Sequence, residues 1–382
     1  MMRMGTRSMR LPSCWRRTFV HRQHWWWRSC WQGRTPPREN RLGQKEWTGT
    51  TREYLNNLVS ASVADSSQVA NLAFVKTHKT GSTTEAILFV RYAQRHGLQW
   101  AQYDGTPRQI APLPVIAPKI LEMVGGRVDV MHYHMSYRTN DTPPWAVNDR
   151  LYRTIMRDPN HINYVTILRE PRERLLSYYY YYLEHQTKMS ITDFLTTEDP
   201  ESQRIKKMAN GSAREFGIYS ADQLDHFFET ALSTFTLVML TEYFDEGLCL
   251  LWYFLGWYLI DLVYVPANET GETSTPRLNE SGDWVYTRPR FHDLPMEIQV
   301  KIDEITVLDR TFYERGKSIY EKTLEPLAVK VEDDLVLFRD LQKVVQQYLA
   351  QNSTSLAHEI YGGNNLVGPE GFYPNATIRY EF

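Results

Sequence analysis

The chain has 382 residues, 42% hydrophobic and 23% charged, enough for one large α/β domain or two small ones with a sizeable core. A formal net charge of −2 excludes a polycation built for nucleic acid, although residues 1–45 are rich in Arg and nearly free of acid. Only Cys14, Cys30 and Cys249 are present, which excludes an internal disulfide framework in the body and any Cys-x-x-Cys metal pattern.

Residues 1–66 read as a disordered or misassigned segment rather than a functional basic arm. Trp25-Trp26-Trp27 sits among Arg, His and Gln without helical periodicity. A signal peptide needs an apolar run of about 7–15 residues and a membrane span about 20, and neither is seen there. From Asn71 to Val75 the chain reads as a short buried strand, and Thr83 to Gly97 as a helix. Ala86, Phe89, Val90 and Ala93 share one helical face, and Gly97 is a suitable stop. Four prolines in residues 104–118 predict a loop. Arg127–Met131 and Tyr164–Leu168 read as strands, with a helix from Arg172 to Glu184.

Further on, Thr236–Leu240 is another buried strand. The apolar run Leu248–Ile260 is short for a membrane span and has acids at both ends, so it reads as a buried helix. Residues 266–290 predict a loop, Leu294–Leu324 helix, and residues 350–382 a weakly ordered tail. Strands alternating with helices indicate an α/β fold with a central parallel sheet and crossover helices. Low cysteine content favours a reducing compartment. Six Asn-x-Ser/Thr sequons, at Asn140, Asn210, Asn268, Asn279, Asn352 and Asn375, argue instead for a secretory lumen.

The segment Lys76-Thr-His-Lys-Thr-Gly-Ser-Thr-Thr84, between a strand and a helix, has the layout of an anion cradle. The first N–H groups of a helix have no internal partner, and the helix dipole adds partial positive charge there. Gly81 lets the backbone approach an oxyanion. Thr80, Ser82, Thr83 and Thr84 offer hydroxyls, and Lys79 a full positive charge. Against this stands a chance cluster of Ser/Thr at a helix start. The pattern is not GxxxxGK[ST], because there is one glycine and the lysine precedes it, which disfavours an ATPase, a GTPase or a nucleotide kinase. After the Tyr164–Leu168 strand comes Arg169-Glu-Pro-Arg-Glu-Arg-Leu-Leu-Ser177. Arg169 at a strand end can pair bidentately with a phosphate, and Ser177 on the following helix can reach the same group. Pro171 suits the first turn of that helix. Arg172, Glu173 and Arg174 read as a surface salt-bridge cluster.

Together these two segments resemble the 5′-phosphosulfate and 3′-phosphate motifs of Golgi carbohydrate sulfotransferases, most closely the galactose-3-O-sulfotransferases, which include galactosylceramide sulfotransferase. The blocks Asp129–Met135, Leu237–Glu246, Asp261–Tyr264 and Leu308–Tyr313 also resemble that family, over roughly residues 70–325. The resemblance implies a P-loop-like sulfotransferase fold, with a catalytic domain over 67–330 and a C-terminal helix and tail over 331–382. It implies 3′-phosphoadenosine-5′-phosphosulfate (PAPS) as donor, with no metal, and a galactose-terminated glycolipid or glycan as acceptor. Lys79, Thr80, Gly81, Ser82 and Thr83 would hold the 5′-phosphosulfate, and Arg169 and Ser177 the 3′-phosphate. It also implies a Golgi membrane protein with a lumenal catalytic domain, although the family's N-terminal membrane helix is not seen in this chain. Ala209-Asn-Gly-Ser-Ala-Arg-Glu-Phe-Gly217 departs from the family's Asn-x-x-x-Phe-Asp-Phe-Gly, in a region that bears on the acceptor.

Sulfuryl transfer requires an in-line acceptor, positive partners for the charge that develops, and a base for the hydroxyl proton. Lys79 is the expected stabiliser of the bridging oxygen, and Lys76 a contact to the transferring group. His78 is the leading base, as a ring that titrates near neutrality. His134 is the alternative, as a base or an acceptor-pocket residue, unless it is structural. Glu242 either binds sugar hydroxyls or makes a structural hydrogen bond. The rival readings are a P-loop-like nucleotide kinase and a non-catalytic glycan- or anion-binding protein.

Overall fold

The computed structural model describes residues 57–58, 60, 70–103, 113–134, 144–198, 202–264, 277–278, 284–285 and 289–351. The expected N-terminal segment and C-terminal tail therefore lie almost wholly outside the described residues. From Ala70 onward, these belong to one unit, Trp47–Phe382.

Leu72–Lys76 (β1) is buried at every position, as expected of a strand covered on both faces. It occupies the centre of a five-stranded sheet ordered β2-β3-β1-β4-β5, in which every neighbouring pair is parallel. The other strands are Trp100–Tyr103 (β2), Val130–His134 (β3), Asn163–Leu168 (β4) and Phe235–Leu240 (β5). Crossovers between parallel strands require intervening segments, supplied by α1 (Ser82–Arg95), α2 (Leu113–Val124), α3 (Pro144–Ile155) and a longer excursion after β4. The expectation of an α/β fold with a central parallel sheet flanked by helices holds.

Chain direction reverses at β1. The chain leaves β1 towards β2 and β3, and leaves β4 towards β5. A crevice at the carboxyl ends of β1 and β4 results, which is where open parallel sheets bind ligands. Both motifs singled out in the sequence emerge there.

After β4 come α4 (Pro171–Tyr178), a single π-helical turn (Tyr179–Leu183), α5 (Glu184–Thr187), α6 (Ile191–Thr197), α7 (Gln203–Met208), α8 (Gly211–Glu215) and α9 (Ala221–Thr230). After β5 follow α10 (Phe244–Leu255), α11 (Leu259–Leu262), α12 (Met296–Ile305), α13 (Val307–Leu324) and α14 (Ala328–Gln351). Glu170 caps α4, its side chain accepting from Glu173 N–H, with Pro171 in the first turn. Gly256, in the left-handed region at φ 66°, ends α10 inside the apolar run. Among the described residues no helix is long and apolar enough to cross a membrane.

Three local expectations are corrected, and one strand is new. The loop over 104–118 gives way to helix from Leu113, because Pro114 lies in the first turn, where its missing N–H is harmless, and the helix tolerates Pro118. The four-residue edge strand β2 was not anticipated. The strand read at Arg127–Met131 is shifted to Val130–His134, since Val128 makes only an isolated bridge to Met156. Within the predicted loop 266–290, Arg277–Leu278 and Trp284–Val285 pair as a short antiparallel ladder.

Two apolar clusters hold the unit together. The larger packs the sheet between its helices and includes Phe338, Leu341 and Val345 of α14. The smaller joins Leu175, Leu176, Tyr179 and Tyr180 to Phe194, Met208 and Ile298. It fixes the π-helical turn beside the β1 loop.

Candidate active site

The loop after β1 is shaped by its own side chains. Thr77 Oγ1 donates to Ile167 O of β4 at 2.8 Å, Thr80 Oγ1 donates to Thr77 O at 3.1 Å, and Ser82 Oγ donates to Thr77 O at 2.5 Å. Thr241 Oγ1, at the end of β5, braces the loop from outside at 2.7 Å from Thr80 O. Thr80 and Ser82 are buried. Their hydroxyls therefore hold the loop, and the backbone N–H groups opening α1, Thr83 and Lys79 are the candidate donors to an anion. Thr83 is half-buried and Gly81 exposed.

Lys79 and Gly81 both take left-handed backbone, at φ 65° and 76°. Only Gly adopts this without strain, so Lys79 marks a stored cost of order 1–3 kcal/mol at the loop's crest. A Cβ at Gly81 would meet nothing nearer than 3.9 Å, so the glycine is required by conformation rather than by crowding.

Arg169 reaches the same loop from β4, its Nη1 donating to Lys79 O at 3.1 Å. Burial lowers the pKa of this guanidinium, and Glu173, Glu242 and Glu170 oppose that shift. Glu242 holds the floor, its Oε1 accepting from Glu170 N–H at 2.8 Å and its Oε2 from Tyr313 O–H at 3.0 Å. These two contacts are hydrogen bonds within the protein, one of the two roles the sequence left open for Glu242. Ser177 is buried in the last turn of α4. Lys76 is buried at the end of β1, and the register sets His134, the last residue of β3, opposite it.

His78 is gripped by a residue that the sequence did not single out as functional. Glu215 Oε2 accepts from the His78 backbone N–H at 2.9 Å, and Glu215 Oε1 lies 2.6 Å from Nδ1. Glu215 ends α8, whose start is clamped by Asp309 of α13. The Asp309 carboxylate accepts from Ser212 N–H at 3.1 Å and Ala213 N–H at 2.7 Å. Burial raises the Asp309 carboxyl, and the nearby Arg174 opposes that shift. Asn210 Oδ1, in turn, accepts from the N–H groups of Leu308 and Asp309. The asparagine of this sequon thus serves the packing between α8 and α13.

Arg174 does not join a surface cluster, as the sequence suggested. It is 1% exposed and lies 3.9 Å from Glu215, because the helical period turns it inward while Arg172 faces out to Asp303. Glu173 accepts from Phe291 N–H at 3.1 Å.

The run of tyrosines after Ser177 was also overlooked. Its π-helical turn, a form enriched at functional sites, sets Tyr181 beneath Lys79, with Nζ 3.6 Å from the ring centroid. Tyr182 lies edge-on to His78 at 6.4 Å. The signals were present as an acid before Phe216-Gly217, the Leu308–Tyr313 block and the tyrosine run, but none carries its partner's address. Among the described residues no cluster of His, Cys, Asp and Glu could hold a metal ion.

Comparison of the sequence with known proteins matches the chain to one family. The Galactose-3-O-sulfotransferase family model matches residues 47–288, which include the β1 loop, the β4 motif, Glu215 and β5. Galactose-3-O-sulfotransferase 2 of Sus scrofa is 27% identical over 239 residues, covering 57% of this chain and 57% of that protein. Galactosylceramide sulfotransferase of Homo sapiens is 26% identical over 226 residues, 55% of this chain and 51% of that protein. The human Galactose-3-O-sulfotransferase 3 is 28% identical over 225 residues, 53% and 48% respectively. The chain thus spans about half the length of the curated relatives it matches. Since the family model covers most of the chain, including both strand-end motifs, the protein belongs to the galactose-3-O-sulfotransferase family of carbohydrate sulfotransferases.

Proposed function

We propose that the protein transfers a sulfuryl group from PAPS to a galactose hydroxyl, the 3-OH, of a glycolipid or glycan in the Golgi lumen. The observation that carries this reading is the meeting of two anion-binding elements. Arg169 donates to the carbonyl of Lys79 itself, so the β4 motif and the β1 loop meet at the switch point of the sheet. Two such elements suit a nucleotide with phosphates at two separate positions.

The residues present fit such a donor. A left-handed Gly81, the N–H groups at the start of α1, a lysine at the crest and a half-buried arginine at the adjacent strand end provide donors suited to an anion. PAPS, when bound, supplies the activated sulfuryl group. Lys79, the α1 N–H groups and Thr83 would hold its 5′ end, and Arg169 and Ser177 its 3′-phosphate. Lys79 offsets charge as it builds on the bridging oxygen, and His78 takes the proton of the acceptor hydroxyl. Thr80, Ser82, Thr241 and Glu242 keep the two motifs in register, while Lys76 and His134 stand at adjoining strand ends at the edge of the site.

The test is an acceptor panel with labelled PAPS, comprising galactosylceramide, lactosylceramide, and glycans ending in β-galactose. Labelled product on galactose is expected, blocked when the 3-OH is methylated. The absence of product from every galactose-terminated acceptor would refute the assignment.

A further inference from the structure

We propose that Glu215 is the positioning residue for His78, fixing the imidazole with Nδ1 protonated and Nε2 directed to the acceptor hydroxyl. This rests on the sulfuryl-transfer reading above and adds to it a residue from a distant part of the chain.

The geometry is a two-point grip by one carboxylate. Oε2 accepts from the backbone N–H of His78 at 2.9 Å, which fixes where the side chain starts. Oε1 sits 2.6 Å from Nδ1, which fixes how the ring is turned. An ionised carboxylate only accepts, so the proton on that short contact belongs to the ring nitrogen. The lone pair of the neutral ring is then left on Nε2, the nitrogen a general base needs. The side chain of His78 is 23% exposed, so part of the ring is accessible.

Glu215 is itself held. Arg174, 1% exposed, stands 3.9 Å from its Oε1, and Asp309 anchors the start of the same short helix. Among the described residues, Tyr178 and Tyr182, on the segment packed against the pair, and Lys79, next in the loop, are further ionisable groups near it. Gly211 keeps α8 against Arg174, because a Cβ there would fall 2.8 Å from Cζ.

In the transfer step, the acceptor O–H gives its proton to His78 Nε2 as its oxygen bonds to sulfur. The bond from sulfur to the bridging oxygen breaks, and its electron pair leaves with the adenosine bisphosphate beside Lys79. The ring becomes an imidazolium, and the carboxylate already on Nδ1 stabilises that cation. Glu215 acts through His78 without touching substrate.

Two measurements on the full chain test this. Long-range proton–nitrogen correlation spectra of protein labelled with ¹⁵N-histidine should show His78 with Nδ1 protonated near neutral pH, and Glu215→Gln should remove that preference. Finding Nε2 protonated in the wild type overturns the proposal, whether or not sulfation is detected. In kinetics, Glu215→Gln should lower kcat about 10²-fold. The KM for PAPS should stay within about twofold, and the acid limb of the rate profile should move to lower pH. Glu215→Asp should recover part of the rate. In a His78→Ala background Glu215→Gln should lower the rate no further. An unchanged kcat in Glu215→Gln, or losses that multiply in the double variant, would also overturn it. Should Glu215→Gln fail to fold, Glu215→Asp carries both measurements, with a weakened Nδ1 preference and an intermediate kcat expected. A wild type inactive on every acceptor counts against the sulfuryl-transfer reading alone, because the spectra still decide the pair.

Discussion

Lys79 shows how one residue combines strain and charge. Its backbone is left-handed, its carbonyl accepts from Arg169, and its ammonium rests on Tyr181. Lys79→Ala should lower kcat about 10²–10³-fold, the range seen on losing a transition-state donor. Lys79→Arg should recover little, because a planar fork does not replace a point charge. Steady-state assays with labelled PAPS check both. Glu85 poses a different question. It is fully buried in α1, and neither carboxylate oxygen has a hydrogen-bond partner among the described residues. Burial raises its carboxyl well above the ordinary range. With the folded pKa above the unfolded one, its contribution to stability is intact below the unfolded pKa and is lost as pH rises through the folded pKa. Glu85→Leu should therefore stabilise the protein at pH 8 by about 1–3 kcal/mol. The gain should shrink below about pH 4. Urea unfolding at the two pH values measures this.

Short elements carry the site, and their packing is unforgiving. α8 has only five residues, too few to be stable alone, so its place depends on Asp309, Asn210 and Arg174. Gly211→Ala puts a methyl group against a buried guanidinium that has no room to move. A loss of about 1–3 kcal/mol is expected, with a fall in kcat because Glu215 shifts with the helix. Gly247→Ala is the control. Its Cβ would meet Met239 Cε at 2.7 Å and Cγ at 3.2 Å, on an unbranched side chain that can repack, so the loss should be smaller than at Gly211. Thermal melts of the two variants side by side decide whether rigidity of the neighbour sets the effect. At this scale the sequence was legible where periodicity is local. β1, α1, β4 and β5 were foreseen because their apolar patterns are continuous. The π-helical turn was not, because its tyrosines satisfy a helical pattern and only packing against Phe194 and Met208 selects the wider turn.

Across the whole molecule, α14 is part of the main core. Phe338, Leu341 and Val345 are buried, and Tyr264 N–H donates to Gln342 at 3.0 Å. Deleting the chain beyond Leu327 removes four buried core side chains, Val331 with those three, worth about 1.5–3 kcal/mol each. That approaches the total stability of an ordinary domain, about 5–15 kcal/mol. The truncated chain should lack a cooperative melt by circular dichroism, and a folded, active truncation would contradict the packing described. The sequence by itself determined the strand–loop–helix at Phe74–Thr84, the arginine at the end of β4 and the alternation that makes a parallel sheet. Those features depend on neighbours a few residues away, and backbone geometry allows few solutions to such patterns. Only the tertiary structure decided that Arg169 meets Lys79 across 90 residues and that Glu215 meets His78 across 137. Strand order and the placing of α8 by Asp309 set those pairs, and no local preference of Glu215 encodes them. The loop that stood out first as a phosphate cradle thus acquires its oriented histidine from a helix whose position the whole fold fixes.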